Sequence, residues 1–188
     1  MAAARVYFWL QQPVPMSFYP SSPAMPALTL LRYPDPRLKI HCLPIADFDD
    51  ELRQFAEDLL QAMRAAPGVG ITAAHVGVAK RLVIIELDRA QGVLIYANPE
   101  IIWTSAEVGR NTEGSVCMPG ATEEVERPDR IRFRYQDLHG GLHEEEVGGF
   151  LSVCIQHEID QLDGIFWLQR LSRLKRERLV KKWEKAIS

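Results

Sequence analysis

Leu52, Phe55, Leu59 and Met63 recur every three to four positions, the spacing that lines up one stripe of a helix. Asp49 or Asp50 caps this predicted helix, which runs to about residue 65 before Pro67-Gly68-Val69-Gly70 ends it. Residues 81–87 are apolar and β-branched and predict a strand. Residues 93–97 predict a second strand, and 101–108 a weaker third. Over 130–136 the pattern alternates, with Ile131, Phe133 and Tyr135 on one face and Arg132 and Arg134 on the other. His139-Gly140-Gly141 then turns the chain into a strand over 142–147. Gly148-Gly149 opens a helix that Asp163-Gly164 closes. Phe150, Leu151, Val153, Ile155, Ile159 and Leu162 surround most of its circumference, which predicts a central buried helix. Ser172 caps a last, basic helix. Several strands, one central helix and two flanking helices make an α+β domain.

Length and charge add two constraints. A chain of 188 residues fits one domain, and a net charge of −3 gives no global case for a nucleic-acid partner. The charge is unevenly spread: residues 170–185 carry eight Lys/Arg against Glu177 and Glu184, so that stretch is +6 and the remainder −9. Such a helix is either a solvated face or a docking surface for a polyanion. Cys42, Cys117 and Cys154 are too few and too scattered for a disulfide framework, which points to reduced thiols and a cytoplasmic location. No stretch approaches the roughly 20 apolar residues of a membrane helix, so no membrane partner is expected. Residues 1–24 hold one charge, Arg5, and four prolines, and Met16 and Met25 offer alternative starts. They read as a flexible extension or an over-long start preceding a domain over 25–188.

The chemistry concentrates at residues 156–164, Gln-His-Glu-Ile-Asp-Gln-Leu-Asp-Gly. A His-Glu-x-x-His helix presents two imidazoles one turn apart, with the glutamate beside them as acid/base. Here His157 and Glu158 are present, but Gln161 stands at the second ligand position, and an amide oxygen is a weak ligand for a transition metal. Glu158 on a buried helix is costly unless paired or hydrated, so it marks either a polar cavity or a structural hydrogen bond to a neighbouring loop. Cys154 reads as core, as do Trp103, Trp167 and Trp183. His41, His139, His143 and the run Glu144-Glu145-Glu146 read as solvated.

Three segments together resemble one family, the peptide deformylases. Gly68-Val69-Gly70-Ile71-Thr72-Ala73-Ala74-His75 resembles its first motif, a glycine-rich loop ending in glutamine. Glu113-Gly114-Ser115-Val116-Cys117 resembles the second, Glu-Gly-Cys-Leu-Ser, and residues 156–164 the third, Gln-His-Glu-x-Asp-His-Leu-x-Gly. The resemblance covers about residues 27 to 187. It implies a fold of antiparallel sheets around the motif-bearing helix, with a C-terminal helix. It also implies removal of formyl from N-terminal methionine by a water on a divalent metal, usually ferrous iron, held by one Cys and two His. In that pattern a Glu moves the proton, and a Gln side chain and a backbone N–H hold the oxyanion.

Carried over by position, His157 falls to the first imidazole ligand and Glu158 to the acid/base. Ser115 stands at the cysteine ligand, Gln161 at the second histidine, and His75 at the oxyanion glutamine; the Val116 N–H keeps the second donor place. Gly68, Gly70, Ile71 and Gly114 fall to substrate binding, while Thr122 and Glu123 replace an expected Arg-Gly of the peptide groove. A serine hydroxyl has no access to its anion comparable to a thiol's, so the cage is short of ligands. Cys117, ~7 Å beyond Ser115 on the same side of an extended segment, is a replacement metal ligand, a buried space-filler, or a nucleophile paired with His75 or His157. Three outcomes follow, the plainest being a structural or interaction role that leaves the pocket unused. The second is a degenerate site with reduced or no deformylation and no metal, binding N-terminal methionine or formyl-methionine peptides, with the basic helix docking on the ribosome. The third is an active hydrolase holding iron, nickel or zinc on altered ligands that include Cys117.

Overall fold

The computed structural model describes residues 28–187. The extension expected over 1–24 lies outside them. Asp49 accepts a hydrogen bond from the Leu52 N–H at 2.9 Å and starts helix α1 (Asp50–Ala65), as the capping pattern predicts. Four strands follow the glycine-rich loop: β1 (Gly70–Thr72), β2 (Leu82–Ile85), β3 (Leu94–Thr104) and β4 (Val108–Ser115). β5 (Met118–Pro128), β6 (Arg130–Gln136) and β7 (Leu142–Gly148) lead into α2 (Gly149–Leu162), and α3 (Arg173–Ile187) closes the chain. An antiparallel sheet runs β1-β2-β3-β6-β7, and β4 and β5 form a separate hairpin. The α+β expectation holds.

The strand expected over 101–108 is instead the second half of β3, which is one strand from 94 to 104 with register shifts between Ala97 and Glu100 and again between Ile101 and Trp103. Asn98 sits in the first irregularity at φ 52°. Its amide bonds both polar main-chain atoms of Ile45, at 2.7 and 2.8 Å, and thereby ties the segment before α1 to the sheet. The β4–β5 hairpin is absent from the hydrophobic pattern because its sequence is mostly polar, and two of its buried residues, Glu113 and Arg127, are charged.

All four residues of β2 are buried because both faces of the sheet are covered. Val83 and Ile85 join Tyr96, Phe133, Tyr135, Ile155, Ile159 and Leu162 under α2, while Leu82 and Ile84 join Leu52, Leu59 and Met63 under α1. A third cluster packs the hairpin against Leu31, Leu38, Phe166, Trp167 and α3, whose one buried side chain, Trp183, donates to the Pro119 carbonyl at 2.9 Å. Trp103 departs from the expected core role: it is 40% exposed on the outer face of the sheet, beneath the guanidinium groups of Arg130 and Arg132. His41, His139 and His143 are exposed, and on the edge strand β7 Glu144 and Glu146 pair with Arg132 of β6. Among the described residues no helix is long and apolar enough to cross a membrane.

The end of α2 depends on Gly164, whose φ is +75° and where a Cβ would lie 2.6 Å from the Lys39 carbonyl oxygen. Gly92 has φ +86° with nothing within 4 Å of the same position. Gly92→Ala is therefore expected to lose about 1 kcal/mol for the backbone alone. Gly164→Ala adds a main-chain collision and is expected to lose about 3 kcal/mol, the difference being read from urea-unfolding midpoints.

Candidate active site

One face of α2 carries Cys154, His157 and Glu158, at i, i+3 and i+4, into a cavity of about 440 Å³. The glycine-rich loop before β1, His75, and the end of the β4–β5 hairpin with Ser115 and Val116 close its other sides. Phe150 and Val153 supply an apolar wall.

His157 is anchored from behind. Its Nδ1 lies 2.8 Å from Glu113 Oε2, and Arg127 donates to both Glu113 oxygens at 2.6 and 2.9 Å. Arg127 also reaches Asp160 at 2.8 Å, and Asp160 is held in turn by Arg170. Burial pushes the Glu113 carboxyl up, but the hydrogen bonds from His157 and Arg127 outweigh it and leave it below the usual range. An ionised Glu113 only accepts, so the imidazole donates through Nδ1 and turns Nε2 away from it. Burial disfavours the charged form of His157, but the Glu113 bond and the Glu158 and Glu113 charges prevail and raise its pKa.

His75 is held differently. It follows Thr72 in a short 3-10 turn, and its Nδ1 accepts the Thr72 N–H at 2.9 Å, which places the proton of the neutral ring on Nε2. Burial, and then the nearby His157, push its pKa down to about 3. Glu158 moves the other way, to about 7, chiefly through burial, with Glu113 adding and His157 and Arg127 opposing. His75 Nε2 and Glu158 Oε2 are both buried and without a hydrogen-bond partner among the described residues. The cavity thus presents a neutral donor and a carboxyl acceptor, both unspent.

The glycines expected to bind substrate have close neighbours. A Cβ at Gly70 would lie 2.5 Å from Glu158 Oε1, one at Gly68 2.6 Å from the Val116 side chain, and one at Gly114 2.8 Å from the Ala121 carbonyl oxygen. Gly68, Gly70 and Gly114 line the cavity; Ile71 is fully buried in the core under α1 and does not. Thr122 and Glu123 lie on β5, where Thr122 is exposed and Glu123 pairs with Lys175.

The four positions named as metal ligands are engaged in different contacts. Ser115 lines the cavity and its Oγ accepts the Cys117 N–H at 3.2 Å. Gln161 is buried away from the cavity and donates to the Leu38 carbonyl at 2.6 Å. Cys117 is fully buried in the cluster of Leu31, Leu38, Phe166 and Trp167, and burial and the Glu158 charge push its thiol up to about 12. Among the described residues no group of three His, Cys, Asp or Glu side chains is placed to hold a metal ion. One imidazole and a neutral hydroxyl do not fit the three or four strong donors that iron, nickel or zinc requires. Sequence reasoning missed Arg127 and Arg170, which no motif distinguishes from surface ion-pair residues, and gave no role to Asp160, although it stands at the Asp of the third motif. It also placed Cys154 in the core alone, although that side chain belongs to both core and cavity wall.

The family model for polypeptide deformylase matches residues 27–177. A protein of Brucella melitensis described as peptide deformylase-like is 62% identical over 156 residues, which cover 83% of this chain and 95% of that protein. A peptide deformylase-like protein of Bradyrhizobium diazoefficiens is 59% identical over 156 residues, covering 83% and 92%. Among solved structures, a peptide deformylase from Synechococcus elongatus in complex with actinonin shares the fold with a TM-score of 0.80 at 34% identity, covering 85% of this chain and 89% of that one.

Arg127→Met leaves Glu113 and Asp160 buried without their shared counter-charge and is expected to destabilise the fold by about 3–5 kcal/mol in urea unfolding. His75 gives a pH-dependent expectation. Below pH 6.5 the unfolded imidazole takes up a proton that the folded ring refuses until about pH 3, so this residue makes stability fall as pH drops through that window. In His75→Gln that contribution is gone, and its stability should fall less steeply than the unmodified chain's between pH 6.5 and 4 when both are unfolded in urea.

Proposed function

Because the chain belongs to the polypeptide deformylase family, we propose that it keeps that family's pocket for the methionyl end of a peptide while its metal centre is degenerate. Removal of formyl is then reduced or absent, and holding the chain end becomes the activity that remains. The observation that carries this reading is the fate of the ligand positions: Ser115 offers a hydroxyl, Gln161 bonds Leu38, and Cys117 is a buried, protonated thiol. The family uses a divalent metal, but none of these side chains supplies a second strong ligand beside His157.

The pocket itself is suited to an amide at a chain end. The apolar wall of Phe150 and Val153 takes an unbranched hydrophobic side chain. The His75 Nε2–H and the Val116 N–H offer donors to a carbonyl oxygen, and Glu158 offers an acceptor to an amide N–H. His75 stays neutral throughout the physiological range, so it serves as a donor and not as a base. The exposed basic face of α3, with one buried residue in fifteen, is available to a polyanion such as ribosomal RNA. Docking there predicts ribosome binding that weakens steeply with salt. The alternative of an active hydrolase using Cys117 requires that side chain to leave a packed core and ionise, which the surroundings oppose.

The test is anaerobic turnover of a short formyl-methionyl peptide with ferrous or nickel ion, comparing the unmodified chain with Ser115→Cys/Gln161→His. The double variant is expected to bind about one metal per chain and to turn over at least ~100-fold faster, with a chelator abolishing the gain. Stoichiometric metal and comparable chelator-sensitive turnover in the unmodified chain would sink the reading. Peptide binding by the unmodified chain, measured calorimetrically without metal, is the positive expectation.

A further inference from the structure

Two donor residues of the cavity, His75 and Val116, belong to different elements: His75 to the short turn after β1, Val116 to the chain one residue past the end of β4. To meet one carbonyl oxygen together their N–H groups must keep a fixed separation, because a hydrogen bond weakens steeply below about 120°. No ladder joins the two, since β1 belongs to the large sheet and β4 to the separate hairpin. Three consecutive residues ahead of α1 make the join. The Leu31 N–H donates to the His75 carbonyl at 2.8 Å, Arg32 Nη1 to the Val116 carbonyl at 3.1 Å, and the Tyr33 N–H to the Cys117 carbonyl at 2.9 Å. The outer two are themselves held. Leu31 is buried in the cluster with Trp167, and the Tyr33 ring stacks on Phe166 at 5.3 Å and meets Trp183 edge-on at 6.0 Å.

Arg32 differs from its neighbours in acting through a side chain. It is exposed and pairs with no carboxylate among the described residues; its hydrogen bond goes to a main-chain carbonyl. That carbonyl and the Cys117 N–H are the two ends of one planar peptide unit, and Ser115 Oγ accepts the N–H at 3.2 Å. Held at both ends, the unit does not turn, and β4 fixes the chain up to Ser115 on the other side of Val116. The Val116 N–H between them has one direction and donates to no group among the described residues.

We infer that Arg32 is a positioning residue for the Val116 N–H, with Ser115 completing the clamp from the other end of the same peptide unit. Together they set the donor before a ligand arrives, so a bound carbonyl oxygen meets an N–H that needs no further ordering. The part played by Ser115 calls for an acceptor and not an anion, which a hydroxyl supplies without ionising. The recipient, a carbonyl at the methionyl end of a peptide, rests on the reading of the pocket in the preceding section; the clamp does not.

Nitrogen-15 relaxation and calorimetry on the full chain test this. In the unmodified chain the Val116 amide is expected to be rigid, with an order parameter near ~0.85, and in Arg32→Ala to fall below ~0.6 while the amides of β2 are unchanged. Arg32→Lys, which keeps a charged donor, should restore most of the order. Calorimetry then compares a formyl-methionyl peptide with its thioformyl counterpart, whose sulfur is a weak acceptor. Arg32→Ala should weaken the formyl peptide by roughly 5–20-fold and the thioformyl peptide by less than about 2-fold, a difference that general loosening of the fold would not give. A Val116 amide as ordered in Arg32→Ala as in the unmodified chain, or equal losses for the two peptides, overturns the inference. If the unmodified chain binds neither peptide, the pocket reading falls, and the clamp is then decided by the relaxation data alone.

Discussion

Arg127 enters the interior from β5 and meets a carboxylate on each side, Glu113 from the neighbouring strand β4 and Asp160 from α2. The pairing holds the polar hairpin against the central helix, where the apolar contacts are fewer than under the sheet. It also fixes the site, since Glu113 spends one oxygen on His157 and cannot turn without leaving Arg127. Arg170 neutralises the far side of Asp160, so two cations and two anions form a closed group between hairpin and helix. The position of the imidazole and the join between the hairpin and the central helix both depend on one guanidinium.

The framework was legible because it is built from apolar periodicity. The stripe Leu52, Leu59 and Met63, the continuous run of β2, the alternation through Ile131, Phe133 and Tyr135, and the helix around Ile155 and Ile159 all fall where burial requires them. The hairpin was not legible, for the same reason read in reverse: its buried residues include Glu113 and Arg127, which pattern reading assigns to solvent. Trp103 erred oppositely, an aromatic residue on the open face of the sheet satisfied by two arginines. The motifs located the cavity correctly in sequence, yet side-chain direction decided which of their members reach it. Gln161 and Cys117 lie within motif segments and turn into other contacts.

Burial does opposite things to the two unpartnered groups of the cavity. It strips the charge from His75 and makes the ring a permanent donor, because the Thr72 N–H occupies Nδ1 and leaves the proton on Nε2. Histidine at this position therefore offers the cavity an uncharged N–H donor, as an amide side chain also can. The same burial lifts Glu158 towards neutrality, so that small changes around it alter its protonation near pH 7. A donor insensitive to pH beside a carboxyl sensitive to it suits recognition of an amide, which has one acceptor and one donor of its own.

The ion group behind His157 bears on whether the cavity is idle. Buried ion pairs are weak contributors to stability, since apolar residues of similar volume often replace them at no cost or with a gain of about 1–4 kcal/mol. Stability alone therefore gives little reason for Arg127, Glu113 and Asp160 to occupy the interior together. Orientation gives a better one. A lone imidazole on α2 rotates about its side-chain bonds and forms either tautomer, whereas His157 against an ionised Glu113 has one rotation and one tautomer, with Nε2 directed away from the carboxylate. A centre that had kept only its fold would have no use for that constraint, and the chain maintains it with three buried charges.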